Sequence, residues 1–125
     1  MEILNEIPLL IVEGSHNPEG LNNLVKSLQN VAENREIHVL FACFRDKNIE
    51  RMIAYLGEYS KDIVLTTFPH ERARTEEEYF LYMEDHSFKE NAIEALNEMM
   101  TAYPDDCILV TGSLAFAAYV KQNIK

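Results

Sequence analysis

The chain predicts an α/β fold, a Rossmann-like three-layer sandwich with a mostly parallel sheet flanked by helices. Three observations carry that expectation. Residues 8–12, 37–44, 62–67 and 106–110 are short, nearly solid apolar runs, the pattern of strands covered on both faces. Stretches with apolar residues at i, i+3, i+4 and i+7 lie between them, so strands and helices alternate. The polar clusters at 13–17, 45–48, 68–74 and 112–113 each follow a strand run. In an open parallel sheet those loops share the carboxyl edge, where ligands bind.

The whole chain is consistent with this. Its 125 residues, 47% hydrophobic and 10% aromatic, make one domain able to bury its own core. No apolar run approaches the ~20 residues of a membrane span, and no charged-then-apolar leader opens the chain. Cys43 and Cys107 both lie in apolar runs and are expected as buried small hydrophobes rather than a disulfide, as in a cytoplasmic protein. A net charge of -10, from 21 acids and 11 bases, leaves no basic stripe for nucleic acid.

Taken in order, residues 1–7 read as a polar linker remnant or tail. After the first strand run, Asn17 and Pro18 suit the N-cap and first position of a helix, with Leu21, Leu24, Val25, Leu28 and Ala32 forming its apolar stripe. Ile49, Met52, Ile53 and Leu56 mark a second helix, ending near Gly57. Thr75 and Glu78 have the spacing of a capping box opening a short helix, and residues 84–88 read as a break. Ala92, Leu96, Met99, Met100 and Tyr103 form a third stripe that ends before Pro104. Gly112 and Ser113 then open a nearly all-apolar helix, expected to be largely buried.

The motifs are informative partly by exclusion. Neither G-x-G-x-x-G nor G-x-x-x-x-G-K-[ST] occurs, so the lysine-bearing backbone cradle for β- and γ-phosphates is missing. The histidines are not spaced as metal ligands, and no metal is expected on this chain. Glu13 is either a solvated acid at a strand end or an acceptor for ribose hydroxyls. His16 is either a turn histidine or a group that bonds nucleotide or carboxylate. Asn17 is most simply a cap. Arg45, Asp46 and Lys47 make a surface ion pair or an anion contact. Arg72 and Arg74 read as solvated cations or as an anion clamp. Ser113 is a good N-cap whose helix start can also hold a carboxylate or phosphate.

Three blocks together resemble the C-terminal domain of folylpolyglutamate synthase and dihydrofolate synthase, in the Mur ligase superfamily. Residues 12–18, V-E-G-S-H-N-P, look like the family's D-G-A-H-N-P; residues 41–48 look like the segment ending in D-K-D; residues 109–116 look like V-T-G-S-L-x-F. A weaker fourth block pairs the P-x-x-R-A loop at 69–74 with the E-A-L helix at 90–96. This chain departs at Glu13, Ser15, Ala42, Cys43 and Asn48, where the family usually has Asp, Ala, a Gly-Ala pair and a final acid.

The resemblance implies an ATP-dependent ligase that adds L-glutamate to folates through an acyl phosphate. It also implies that residues 1–125 are one glutamate ligase domain, inactive alone. ATP and Mg2+ would be held mainly by an N-terminal ATPase domain, the partner this domain closes over. By resemblance Glu13 takes the ribose side, and His16 faces nucleotide and reaction centre with a catalytic role. Asn17 would support the turn, Asp46 and Lys47 shape the substrate edge, and Ser113 receives the glutamate carboxylate. The competing expectation is a stand-alone flavodoxin-like or receiver-type binding or signalling module. It fits less well, because Glu13 and Asp46 follow different strands and do not form the acid pair a receiver needs.

Overall fold

Leu9, Leu10, Ile11 and Val12 are all buried, as an apolar run without polar alternation requires of a strand covered on both faces. The computed structural model, which describes residues 1–14 and 18–124 and only the backbone of Pro18, Leu21 and Val25, builds a six-stranded sheet around that run. The strands are β1 (Glu2–Glu6), β2 (Leu9–Val12), β3 (Ile37–Phe41), β4 (Asp62–Thr66), β5 (Ser87–Lys89) and β6 (Cys107–Thr111), in the order β1-β2-β6-β3-β4-β5. All neighbours are parallel except β1, which runs antiparallel to β2.

The helices are α1 (Pro18–Ala32), α2 (Glu50–Tyr59), α3 (Ala92–Ala102) and α4 (Leu114–Asn123), with a 3₁₀ helix at Glu77–Tyr82. Alternating strand residues sort the core into two layers. Leu9, Ile11, Val39, Phe41 and Leu109 face α1 and α2; Leu10, Val12, Leu40, Ile108 and Val110 face α3 and α4. The three-layer sandwich is therefore as expected. Helix α1 carries the chain from β2 past β6 to β3, and α3 returns it across the sheet to β6.

Several expectations are corrected. The presumed linker at 1–7 contributes β1, whose pairing of Glu2 with Val12 and Glu6 with Leu9 covers the open edge of β2. No residue of β1 is buried, so neither an apolar run nor an alternating pattern marked it in the sequence. The presumed break at 84–88 contains the start of β5, a strand of three residues too short to show a period. Only half of the capping box forms: Glu78 Oε1 accepts from the Thr75 N–H at 3.0 Å and from its hydroxyl at 3.0 Å, while the Glu78 N–H donates to the Thr75 backbone carbonyl, and the turn opens a 3₁₀ helix. Helix α4 buries Phe116, Ala117 and Val120 while Leu114 stays 68% exposed, so it is half covered rather than buried throughout. Pro18 is the first residue of α1, as read; Asn17 lies outside the described residues. Both cysteines are buried and unpaired.

Candidate functional site

The strand order creates one place where connections leave the sheet to opposite faces. β6 lies between β2 and β3; the chain leaves β2 and β3 toward α1 and α2, and leaves β6 toward α4 on the other face. Such a switch point opens a crevice at the carboxyl edge. The turns there carry Glu13 and Gly14, residues 45–48, and Gly112 with Ser113.

Backbone contacts lock these turns together. The Glu13 N–H donates to the Val110 carbonyl at 2.9 Å, and the Ala42 N–H to Thr111 at 3.2 Å. Gly112 has φ +132°, and a Cβ there would overlap the Ala42 carbonyl oxygen, so only glycine suits the position. A Cβ on Gly14 would meet Leu114 Cδ2 at 2.5 Å and its Cα at 3.2 Å. Gly14 thus lets the β2 turn lie against the first residue of α4, and the blocks at 12–18 and 109–116 meet through it.

The individual side chains are placed as follows. Glu13 is partly buried, and its Oε2 lies 2.9 Å from the Met1 ammonium. Ser113 is 4% exposed and its Oγ accepts the Phe116 N–H at 3.1 Å, making it the cap of α4. Asp46 pairs with Arg72 at 2.7 Å, and that hydrogen bond holds its carboxyl below the usual carboxylate range. Lys47 is partly exposed, with no ion-pair partner among the described residues. His16 and Asn17 lie outside the described residues. The edge therefore brings Glu13, Gly14, Gly112 and Ser113 together, with Asp46 and Lys47 on the flanking β3 turn.

The two arginines differ in role. Arg72 stacks over Phe44, 4.6 Å from its ring centroid, while reaching Asp46. Arg74, partly buried, is taken up by the protein's own backbone: it donates to the carbonyls of Arg45, Lys47 and Glu78 at 3.2, 2.6 and 2.7 Å. Among the described residues no group of three His, Cys, Asp or Glu side chains is arranged to hold a metal ion.

One cluster was missed from sequence. His38, 2% exposed, has Nδ1 2.8 Å from Asp62 Oδ1 and Nε2 2.8 Å from Asp106 Oδ2, with Tyr103 stacked on its ring at 3.6 Å. It lies at the amino ends of the strands, opposite the crevice, and staples β3, β4 and β6 together. The available signal was that Asp62 and Asp106 each open the strand run of a neighbour of β3.

The model of the family described as Mur ligase, glutamate ligase domain, matches residues 1–114. The chain belongs to this family. Over 124 residues this glutamate ligase domain is 27% identical to a folylpolyglutamate synthase of Lacticaseibacillus casei, covering 99% of this chain and 29% of that protein. It is 26% identical over 138 residues to a dihydrofolate synthase/folylpolyglutamate synthase of Bacillus subtilis, covering 100% of this chain and 30% of the relative. The fold is that of a bifunctional folylpolyglutamate synthase/dihydrofolate synthase from Yersinia pestis, solved with AMPPNP and Mn ion. The TM-score is 0.85 at 23% identity, covering 97% of this chain and 30% of that one. This glutamate ligase domain thus spans about 30% of the length of the curated relatives it matches.

Proposed function

We propose that this chain acts as the C-terminal part of an ATP-dependent folylpolyglutamate synthase, closing over ATP held by an N-terminal ATPase domain and helping bind the incoming glutamate. The observation that carries the reading is the Gly14 turn lying against Leu114 at the start of α4. It unites the two most specific sequence blocks on the edge where an α/β sheet binds ligands. The match of residues 1–114 to the glutamate ligase family supports the same assignment.

In this reading ATP activates the folate carboxylate as an acyl phosphate, and the amine of L-glutamate displaces phosphate. Positioning and charge stabilisation do most of the work. ATP and Mg2+ sit mainly on the partner domain, because this sequence carries no phosphate loop of its own. Glu13 faces the ribose, His16 the nucleotide and reaction centre, and Asn17 supports the turn. Asp46 and Lys47 border the substrate. Ser113 contributes through the start of α4, where amide dipoles favour a carboxylate, because its own hydroxyl oxygen already caps the helix. If residues precede Met1, its ammonium becomes a peptide group, and Glu13 loses that ion pair and becomes free to accept from a ligand.

The test is ATP-dependent addition of glutamate to a folate by the full-length protein carrying this chain, with His16→Ala beside it. Ligation by the parent and a turnover loss of about 100-fold in the variant, the lower range for one acid–base or positioning group, are expected. A parent without ATP-dependent ligation ends the reading, and unchanged turnover in His16→Ala ends the role of that residue.

A further inference from the structure

The loops after β3 and β4 are zippered into one unit. Phe44 and Ala73 form an antiparallel bridge, flanked by Arg45 N–H donating to the Arg72 carbonyl at 2.9 Å and Arg74 N–H donating to Cys43 at 2.9 Å. Beyond the bridge, backbone pairing stops, and the carbonyls of Arg45 and Lys47 have no ladder to join. Loop carbonyls of this kind ordinarily turn to water. Here one guanidinium takes both, Nη2 lying 3.2 Å from the Arg45 oxygen and 2.6 Å from the Lys47 oxygen. Its Nη1 donates to the Glu78 carbonyl at 2.7 Å, which ties the same group to the start of the 3₁₀ helix. The guanidinium carbon sits over the Tyr79 ring, 5.7 Å from its centroid, and that ring is fully buried.

The bonded oxygens flank the residues this edge presents. Asp46 sits between Arg45 and Lys47, already held sideways by Arg72, while Lys47 has no ion-pair partner among the described residues. We propose that Arg74 is a positioning residue: its fork on the Arg45, Lys47 and Glu78 carbonyls sets the conformation of the β3 turn and so aims Lys47 at an anionic group of the substrate. This rests on the ligase reading above for what the edge binds, but the latch itself rests only on the carbonyl contacts. A lysine at position 74 would keep the charge and three donors, but on one nitrogen, where Arg74 reaches Glu78 through Nη1 and the Arg45 and Lys47 carbonyls through Nη2. The anion is a carboxylate of glutamate or a phosphate of ATP; both suit an ammonium, and kinetics separate them.

The experiment uses the full-length protein with Arg74→Lys, Arg74→Met, Lys47→Met and the double variant Arg74→Met/Lys47→Met. Arg74→Met and Lys47→Met are expected to raise the same KM by about tenfold, the scale of one charge-assisted hydrogen bond, with kcat within about threefold. Whether that KM belongs to glutamate or to ATP identifies the anion. The double variant should be no worse than the poorer single one, because residues acting as one unit are not additive. Additive effects, or an Arg74→Lys variant with wild-type kinetics, would overturn the latch. Amide exchange at Arg45 and Lys47 gives a readout independent of activity, expected to quicken by about tenfold in Arg74→Lys. If the parent shows no ligation, the functional reading fails while exchange still decides the latch; unchanged exchange overturns it even in an active enzyme. Should Arg74→Met not fold, the Arg74→Lys exchange and kinetics carry the decision.

Discussion

The buried thiols show how far a side chain's chemistry is set by its surroundings. Burial pushes Cys43 up to about 11 and Cys107 up to about 11, so neither is a thiolate near neutral pH. Both should resist an aromatic disulfide reagent in the native protein and react completely in denaturant; fast labelling of either in native buffer would contradict their placement. Thr111 is a second informative residue. Its hydroxyl is fully buried beside Gly112 and has no hydrogen-bond partner among the described residues. A buried hydroxyl left unsatisfied costs about 1 kcal/mol or more, so Thr111→Val should raise stability by about 1 kcal/mol in urea unfolding. A loss of stability would show that the hydroxyl has a partner in the folded protein.

Among the elements, the strands are held differently at their two ends. At the amino ends His38 joins β3 to Asp62 of β4 and to Asp106 before β6, with Tyr103 stacked against it. His38→Phe keeps the stacking surface and removes both hydrogen bonds. The two carboxylates are partly exposed, at 41% and 29%, and can return to water, so the expected loss is about 1–3 kcal/mol rather than that of a sealed ion pair. A urea midpoint equal to the parent's would mean the staple contributes nothing. At the carboxyl ends the 45–48 and 72–78 segments are joined by Arg74 and the Phe44–Ala73 bridge, and exposed ion pairs add to them. The Arg72 hydrogen bond lowers Asp46, and the Thr75 amide lowers Glu78. A carboxyl whose folded value lies below its unfolded one adds stability above the unfolded value and loses it as pH falls through the folded one. Stability from these two groups should therefore be intact at pH 6 and fall away below about pH 4. The acid-limb change should shrink in Arg72→Ala, measured by thermal unfolding between pH 6 and 2.5.

For the whole molecule, the first strand is the clearest case of a segment whose role depends on its neighbours. β1 covers the outer edge of β2, a strand buried along its full length. Removing residues 1–7 would expose unpaired N–H and C=O groups on an apolar strand, a template for pairing with other copies. The shortened chain should lose several degrees of melting temperature and aggregate on heating, followed by light scattering. Reversible, unchanged melting would restore the linker description.

Much was legible in the amino-acid order alone. Period and run length located β2, β3, β4, β6 and all four helices, because their residues meet the same environment at every turn or step. The cap at Ser113 is local chemistry, read from a few neighbours, whereas the cap at Asn91 and the need for glycine at 112 came only with the structure. The family resemblance rested on blocks of that same local kind. Tertiary structure alone decided what lies against what. Short β1 and β5 have no period and acquire their state from the strand beside them. His38 gained two acids from segments 24 and 68 residues away, and Arg74 turned from an expected surface cation into a latch on three carbonyls. Hydrogen bonds of that kind depend on distance in space, and no spacing along the chain encodes it until the sheet has brought the segments together.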